Sequence, residues 1–372
     1  MYLEPRRQRT RRPLWPWLLS VVVAFGLAWT LYSRQRVIIE AVRGPLPTPT
    51  PTEISARAYL AVGDGHFETG RYDEALTAYI RATELDPEFS TAFARWARIL
   101  KLRWRTEDAE QIARRAVELD AESAENQAIL GVALDWNGKA GEAISVCLKA
   151  TRIDPDYAHG YACLAEAYGD YGRVAEAVEM GKRAVELAPE DALARRSYGY
   201  TFEVRGLYPE AIREYQLATS FNPNHAAIYL DIGRNYRALN NIEEAAYHFQ
   251  RATQVDPGFP LGHDQLGWTY FSEGLYQLAI TELQKAIELD PGFGIAHGHL
   301  GVTYYVQRNY EEAIVNLIRA IELVGPTEEY CYVLGFCYAY LDECDQAMPW
   351  FEKALELNPY SAVAQQGKTF CR

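Results

Sequence analysis

Histidine and cysteine are the residue types best equipped for chemistry in this chain of 372 residues. His263 and His297 stand 34 positions apart, with His299 close by. On adjacent helices they could approach one another, and paired imidazoles can hold zinc. No cysteine, histidine or carboxylate trio joins them at metal-ligand spacing, so they read as packing histidines, and no metal or cofactor is expected. The six cysteines are Cys147, Cys163, Cys331, Cys337, Cys344 and Cys371, and they form no CxxC motif. In an oxidising compartment, pairs such as Cys147–Cys163 or Cys331–Cys371 are conceivable. Packing as six small hydrophobes inside helices is the preferred reading. The chain has no Walker loop, no GxSxG elbow, no HExxH and no GxGxxG opening a helix. These residues point to recognition rather than catalysis, and no small-molecule substrate is evident.

Charge narrows the recognition partner. The formal net charge is −13. Residues 1–43 carry eight arginines against Glu4 and Glu40, which leaves 29 basic and 48 acidic residues, a net −19, for the remainder. A body of that sign repels phosphate backbones, so nucleic acid is excluded as a partner.

The N-terminal residues predict a membrane anchor. Residues 1–12 form a basic tail with Arg6, Arg7, Arg9, Arg11 and Arg12. Pro13 to Ser33 is uncharged over 21 positions, about 31 Å as helix, which matches a bilayer's hydrocarbon thickness. Trp15 and Trp17 stand at one end, with Trp29 and Tyr32 at the other, as interfacial aromatics do. The arginine bias places the N-terminus in the cytoplasm and everything after Ser33 on the exoplasmic side. The alternative keeps the remainder in the cytosol. Residues 34–55 are a linker whose Pro-Thr alternation from Gly44 to Thr52 favours a stiff polyproline II spacer.

Everything from Ala56 to Ser361 repeats. Glu84-Leu-Asp-Pro87 returns as Arg152-Ile-Asp-Pro155, Glu186-Leu-Ala-Pro189, Ser220-Phe-Asn-Pro223, Gln254-Val-Asp-Pro257, Glu288-Leu-Asp-Pro291 and Glu356-Leu-Asn-Pro359. The period is 34 residues and the register never slips, which gives nine units: 56–89, 90–123, 124–157, 158–191, 192–225, 226–259, 260–293, 294–327 and 328–361. Counting each unit from one, slots eight, twenty and twenty-seven are Gly or Ala in every unit, as Gly63, Ala75 and Ala82 illustrate. Small residues there let two antiparallel helices approach. Slot fifteen holds Gly70, Gly138, Gly172, Gly206, Gly274 and Asn240, residues that tolerate the left-handed conformation ending a helix. Some units depart from the pattern. Unit two has Trp104 and Ala121 where Gly and Pro are usual. Slot twenty-four is large in most units but is Ala113, Cys147 and Gly181 in units two to four, so that stretch is expected to pack differently. Pro349 falls inside a helix and should kink it. Residues 362–372 are too short for another pair and read as a polar cap.

This pattern resembles the tetratricopeptide repeat family over 306 of 372 residues. The resemblance implies an all-α, right-handed superhelical solenoid of about nine helix pairs, here preceded by one transmembrane helix. About eight units should complete a turn. The first helix of each pair should line a concave groove for a peptide or protein, with slots two, five, nine, twelve and thirteen facing it. In units seven to nine those slots hold Trp268, Phe271, Val302, Tyr305, Tyr332, Phe336 and Tyr340, a candidate apolar strip. Arg196, Arg234 and Arg237 lie on the same surface and could meet an acidic peptide, or could pair internally with Glu203, Asp231 and Asp264. The lysine and asparagine clamp that some members use for a C-terminal carboxylate is missing: slot five has no lysine and slot nine no asparagine.

The expected function is therefore a non-catalytic, membrane-tethered scaffold that binds a peptide or protein, with envelope assembly or secretion as settings suggested by the family. The alternatives are a recognition subunit of a separately encoded enzyme, such as a glycosyltransferase, and a cytosol-facing docking receptor.

Overall fold

The computed structural model describes residues 15–34 and 54–372. The basic tail, the Pro-Thr spacer and the arginines Arg36 and Arg43 lie outside the described residues. The chain divides into two units, residues 1–54 and 55–372.

In the first unit α1 runs from Trp15 to Ser33, 19 residues. The surfaces described along it, from Trp15 to Tyr32, are exposed. At 1.5 Å per residue it measures about 28 Å, against about 30 Å of hydrocarbon. Ser20, Gly26, Thr30 and Ser33 interrupt its apolar surface. Among the described residues no helix is long and apolar enough to cross a membrane. That finding corrects the expectations of a transmembrane helix, of a membrane anchor as partner, and of a single-pass topology with the repeats on the exoplasmic side.

The second unit is helical throughout its regular structure. Its helix pairs are α2 (Ala56–Glu68) with α3 (Tyr72–Leu85), α4 (Ser90–Leu102) with α5 (Thr106–Leu119), and α6 (Ala124–Trp136) with α7 (Ala140–Ile153). Next come α8 (Ala158–Asp170) with α9 (Val174–Leu187), α10 (Ala192–Glu203) with α11 (Tyr208–Phe221), and α12 (Ala226–Ala238) with α13 (Ile242–Val255). Then follow α14 (Pro260–Ser272) with α15 (Tyr276–Leu289), α16 (Gly294–Val306) with α17 (Tyr310–Val324), and α18 (Glu328–Tyr340) with α19 (Cys344–Leu357); α20 (Ala362–Phe370) ends the array. Each first helix packs along its own second helix and along the second helix of the unit before it. The slot-fifteen residue turns the chain between paired helices with positive φ in every unit, even where it is Trp104, Asn240, Arg308 or Asp342. Pro349 costs α19 a hydrogen bond, yet the helix runs on to Leu357.

Slot eight and slot twenty-four form a matched pair. A Cβ built on Gly63 would sit 2.5 Å from Tyr79, on Gly199 2.7 Å from Tyr215, on Gly233 2.5 Å from Phe249, and on Gly335 2.7 Å from Phe351. The glycine is required by the ring above it rather than by its own backbone. Where slot twenty-four is small, as in Ala113 and Gly181, slot eight becomes Ala97 and Ala165.

The slot-twenty-four side chain also lies between its own first helix and the next one. Gly181 faces Tyr198 and Thr201 of the following unit, and Phe351 faces Gly367 of α20. It acts as a wedge. Over Ala113, Cys147 and Gly181 the successive first helices α4, α6, α8 and α10 pack directly against one another; over Tyr79, Tyr215, Phe249, Leu283 and Leu317 they barely meet. The expectation that units two to four pack differently is met in this specific way.

The tight stretch bends the array back onto itself. Tyr72 Oη donates to the Asn224 carbonyl at 3.1 Å, and Asn224 Nδ2 donates to the Glu68 carbonyl at 3.1 Å. Arg103 pairs with Asp73 at 2.8 Å and with Asp256. Phe67 and Tyr72 share one apolar cluster with Ala226, Ala227 and Phe259. Unit six thus meets unit one, a tighter closure than the eight-unit turn implied by the resemblance. The cause is the three missing wedges.

Two cysteine pairs are bonded, one inside the tight stretch and one at the C-terminal end of the array. Cys147 on α7 and Cys163 on α8 are disulfide-bonded with Cα atoms 5.8 Å apart, and Cys344 is bonded to Cys371 past α20 with Cα atoms 5.3 Å apart. The preferred reading of six unpaired cysteines is corrected at these four. Cys331 and Cys337 are free and buried.

Candidate functional site, an open aromatic face and a closed groove

In units seven to nine the groove-facing slots do come together. Trp268 and Phe271 on α14 stack with ring centroids 4.5 Å apart, and Trp268 stacks on His299 of α16 at 4.1 Å. Tyr340 on α18 lies 6.4 Å from Tyr305, 6.0 Å from Phe336, 5.1 Å from Tyr310 and 5.6 Å from Phe370 of α20. Val302 and Phe336 are buried and form a floor. Trp268, Phe271, Tyr305 and Tyr332 are half-buried around it, and Tyr340 is 46% exposed. Burial raises the Tyr305 hydroxyl to about 12, so it stays a neutral donor at physiological pH. The surface is apolar with hydroxyl groups at its edge, the composition of protein-binding hot spots.

The arginines are placed differently. Arg196 is 6% exposed. It donates from Nε to Asp231 at 2.6 Å and from Nη1 to Glu166 at 2.9 Å. Burial alone would favour losing its proton, but Asp231 and Glu166 hold it firmly charged. Arg234 donates to Asp231 at 2.6 Å. Arg237 donates to Gln265 at 2.8 Å, while its other terminal nitrogen is buried without a partner. Glu203, which lies 3.8 Å from Arg234, accepts from Tyr215 and Asn235 at 2.7 Å each. Arg196 and Arg234 are thus spent on internal pairs.

The histidines are structural. His263 Nδ1 lies 2.7 Å from Glu282 and its Nε2 lies 3.1 Å from the Pro257 carbonyl. His297 repeats the arrangement with Asn316 and the Pro291 carbonyl at 3.2 and 3.3 Å. In units four to eight the slot-four side chain ties the first helix to the carbonyl of the preceding proline. His299 lies 2.7 Å from the fully buried Asp264.

Units one to six present a partly enclosed groove. Closure leaves a cavity of about 90 Å³ behind α2, α4, α6, α8 and α10. Its walls are mostly apolar, yet Arg98 and Lys101 of α4 and His225 before α12 reach it. Burial and the nearby Arg196 lower the Lys101 ammonium to about 8 and the His225 ring to about 3. Next to it Asp135, 4% exposed, is raised to about 8 by burial and by Asp170 and Glu166. Arg98 and Lys101 occupy slots nine and twelve, so the slot rule that found the aromatic strip could have found them. What concealed them is closure, which needs a contact 152 residues away in sequence.

Family models described as tetratricopeptide repeat match residues 56–89, 164–226, 226–259, 265–325 and 328–361. No curated protein sequence matches the chain. Among solved structures, the APC/C hetero-tetramer Cut9-Hcn1 is similar with a TM-score of 0.66 and 19% identity, covering 84% of this chain and 63% of that one. The chain therefore spans just under two thirds of that relative's length. PilF of Pseudomonas aeruginosa is similar at a TM-score of 0.53 and 18% identity, covering 58% of this chain and 98% of that one. Human IFIT1, solved as a dimer with PPP-AAAA, gives 0.53 and 20% identity, covering 89% and 81%. At these identities the likeness is one of fold. With repeat matches over more than half of its length and nine helix pairs in one register, the chain belongs to the tetratricopeptide repeat family.

Proposed function

We propose that the chain is a non-catalytic protein-interaction scaffold whose binding face is the aromatic surface of units seven to nine. The observation that carries this reading is the continuity of that surface. Two stacked groups, Trp268–Phe271–His299 and Tyr305–Tyr340–Tyr310, lie over a floor that includes the buried Val302 and Phe336. The wedges Leu283 and Leu317 hold the first helices apart there, which keeps a groove open to an extended peptide with apolar anchors. Arg237 contributes to the rim, while Arg196 and Arg234 serve the array itself. The nucleic acid solved with IFIT1 is not carried over, because a net −19 over residues 44–372 repels phosphate.

The test is selection of binders from a random peptide library against the full chain. Selected peptides should carry aromatic or branched apolar residues. Trp268→Ala combined with Tyr305→Ala should weaken the selected peptide at least tenfold, about 1.4 kcal/mol, with the helical circular dichroism unchanged. Undiminished binding by the double variant would move the site elsewhere.

A further inference from the structure

The partly enclosed cavity of units one to six carries charge that the array does not pair directly. Each carboxylate in its lining is already answered. Glu125 pairs with Arg95 at 2.6 Å. Glu166 takes Arg196 at 2.9 Å and Ser197 at 2.7 Å. Two cations in the lining are not answered. Among the described residues Arg98 makes no ion pair; its guanidinium lies 3.7 Å over the Phe67 ring, and its Nε is buried without a hydrogen-bond partner. Lys101 also makes none, with its ammonium 4.5 Å from the Trp136 ring. His225 is 4% exposed, and its Nδ1 is buried without a partner. Three polar groups therefore line one mostly apolar hollow without a direct ion-pair partner, and Glu166, which acts on Lys101 from a distance, is already bound to Arg196.

The surroundings select the missing group. Leu102, Ile129, Val132 and Leu193 supply walls for an alkyl body. An adjoining hollow of about 200 Å³ shares Phe67, Arg98, His159, Leu193 and His225 with the cavity and is rimmed by Glu68, Glu190 and Asp191. That acidic mouth disfavours entry of a dianion such as phosphate. The 90 Å³ volume is smaller than the ~150 Å³ that accepts benzene, which favours a small aliphatic body over an aromatic one.

We propose that this cavity binds a short aliphatic monocarboxylate, with its carboxylate between Arg98 and Lys101, a hydrogen bond from the His225 ring, and its alkyl chain against Ile129 and Val132. The site is independent of the aromatic face. It would link ligand binding to closure, because Phe67 and His225 come from the two ends that meet.

Calorimetric titration of the full chain with sodium butyrate tests the assignment, with sodium phosphate as the second probe. Saturable binding of one butyrate per chain is expected, with no heat of binding from phosphate at equal concentration. Lys101→Met should weaken butyrate at least tenfold. Ile129→Phe, which fills the cavity and keeps all three polar groups, should abolish binding, with unfolding curves confirming that both variants fold. Absence of saturable butyrate binding, equal binding of phosphate, or undiminished binding by folded Ile129→Phe would each overturn the proposal.

Discussion

Units two to four and units five to nine share a period, a register and a set of small-residue slots, yet they build opposite surfaces. In the first stretch slot twenty-four is Ala113, Cys147 or Gly181; in the second it is Tyr215, Phe249, Leu283, Leu317 or Phe351. The side chain at that slot sits between successive first helices. Small ones let α4, α6, α8 and α10 close up, and large ones prop their successors apart. One stretch thus curls until unit six meets unit one, while the other keeps an open aromatic face. The lesson is that one position per repeat sets the curvature, and curvature decides whether a groove is a cavity or an open face.

The comparison can be broken from either side. The largest effect is expected on removing a wedge. Phe249→Ala deletes a fully buried ring over Gly233 and should cost about 3–5 kcal/mol in denaturant unfolding. Introducing a wedge comes next. Gly181→Leu would crowd Tyr198 and Thr201, should cost about 1–3 kcal/mol, and should raise the radius of gyration in small-angle scattering as the ring opens. Tyr72→Phe tests the clasp alone. Loss of the hydroxyl's bond to the Asn224 carbonyl should cost about 0.5–1.5 kcal/mol and should speed hydrogen exchange in the 66–72 turn, with units seven to nine unaffected.

A further expected effect is a pH dependence confined to the closed stretch. Asp135 is raised from its ordinary value near 4 to about 8 by burial and by Asp170 and Glu166. The folded state then holds a proton that the unfolded state releases, so stability falls as pH rises from about 4 to about 8. Asp135→Asn keeps the neutral form. Its melting temperature should match the wild type near pH 4 and exceed it at pH 8. A parallel loss in the variant would assign the slope to another group.

Much of this was legible in the residues, and the failures are instructive. The solenoid follows from nine glycine or alanine residues at slot eight and nine alanines at slot twenty, because local packing repeats with the sequence. The aromatic face was legible for the same reason: Trp268, Phe271, Tyr305 and Tyr340 lie where the slot rule puts them. The odd slot-twenty-four residues could be seen, but not their consequence. Closure sums small rotations over several units and is sealed by Tyr72 and Asn224, which no periodicity relates. Arg196 was visible as a groove-facing charge and Asp231 as a candidate internal partner, but Glu166, from the unit before, was not. The Cys344–Cys371 bond was missed because the return of α20 over Phe351 depends on Gly367. The anchor expectation is corrected because, among the described residues, no helix is both long and apolar enough to cross a membrane. An uncharged run in the sequence does not register the polar side chains Ser20, Thr30 and Ser33 along that helix.

The most direct test of the curvature account is a spin-label distance across the clasp, with labels introduced through an unnatural amino acid at Arg71 and Ser220, both exposed. The wild type should give one short, narrow distribution, and Gly181→Leu should shift and broaden it while a label pair within units seven to nine stays put. A wild-type distribution that is already broad, or a folded Gly181→Leu variant with the wild-type distance, would contradict the claim that slot twenty-four closes the array.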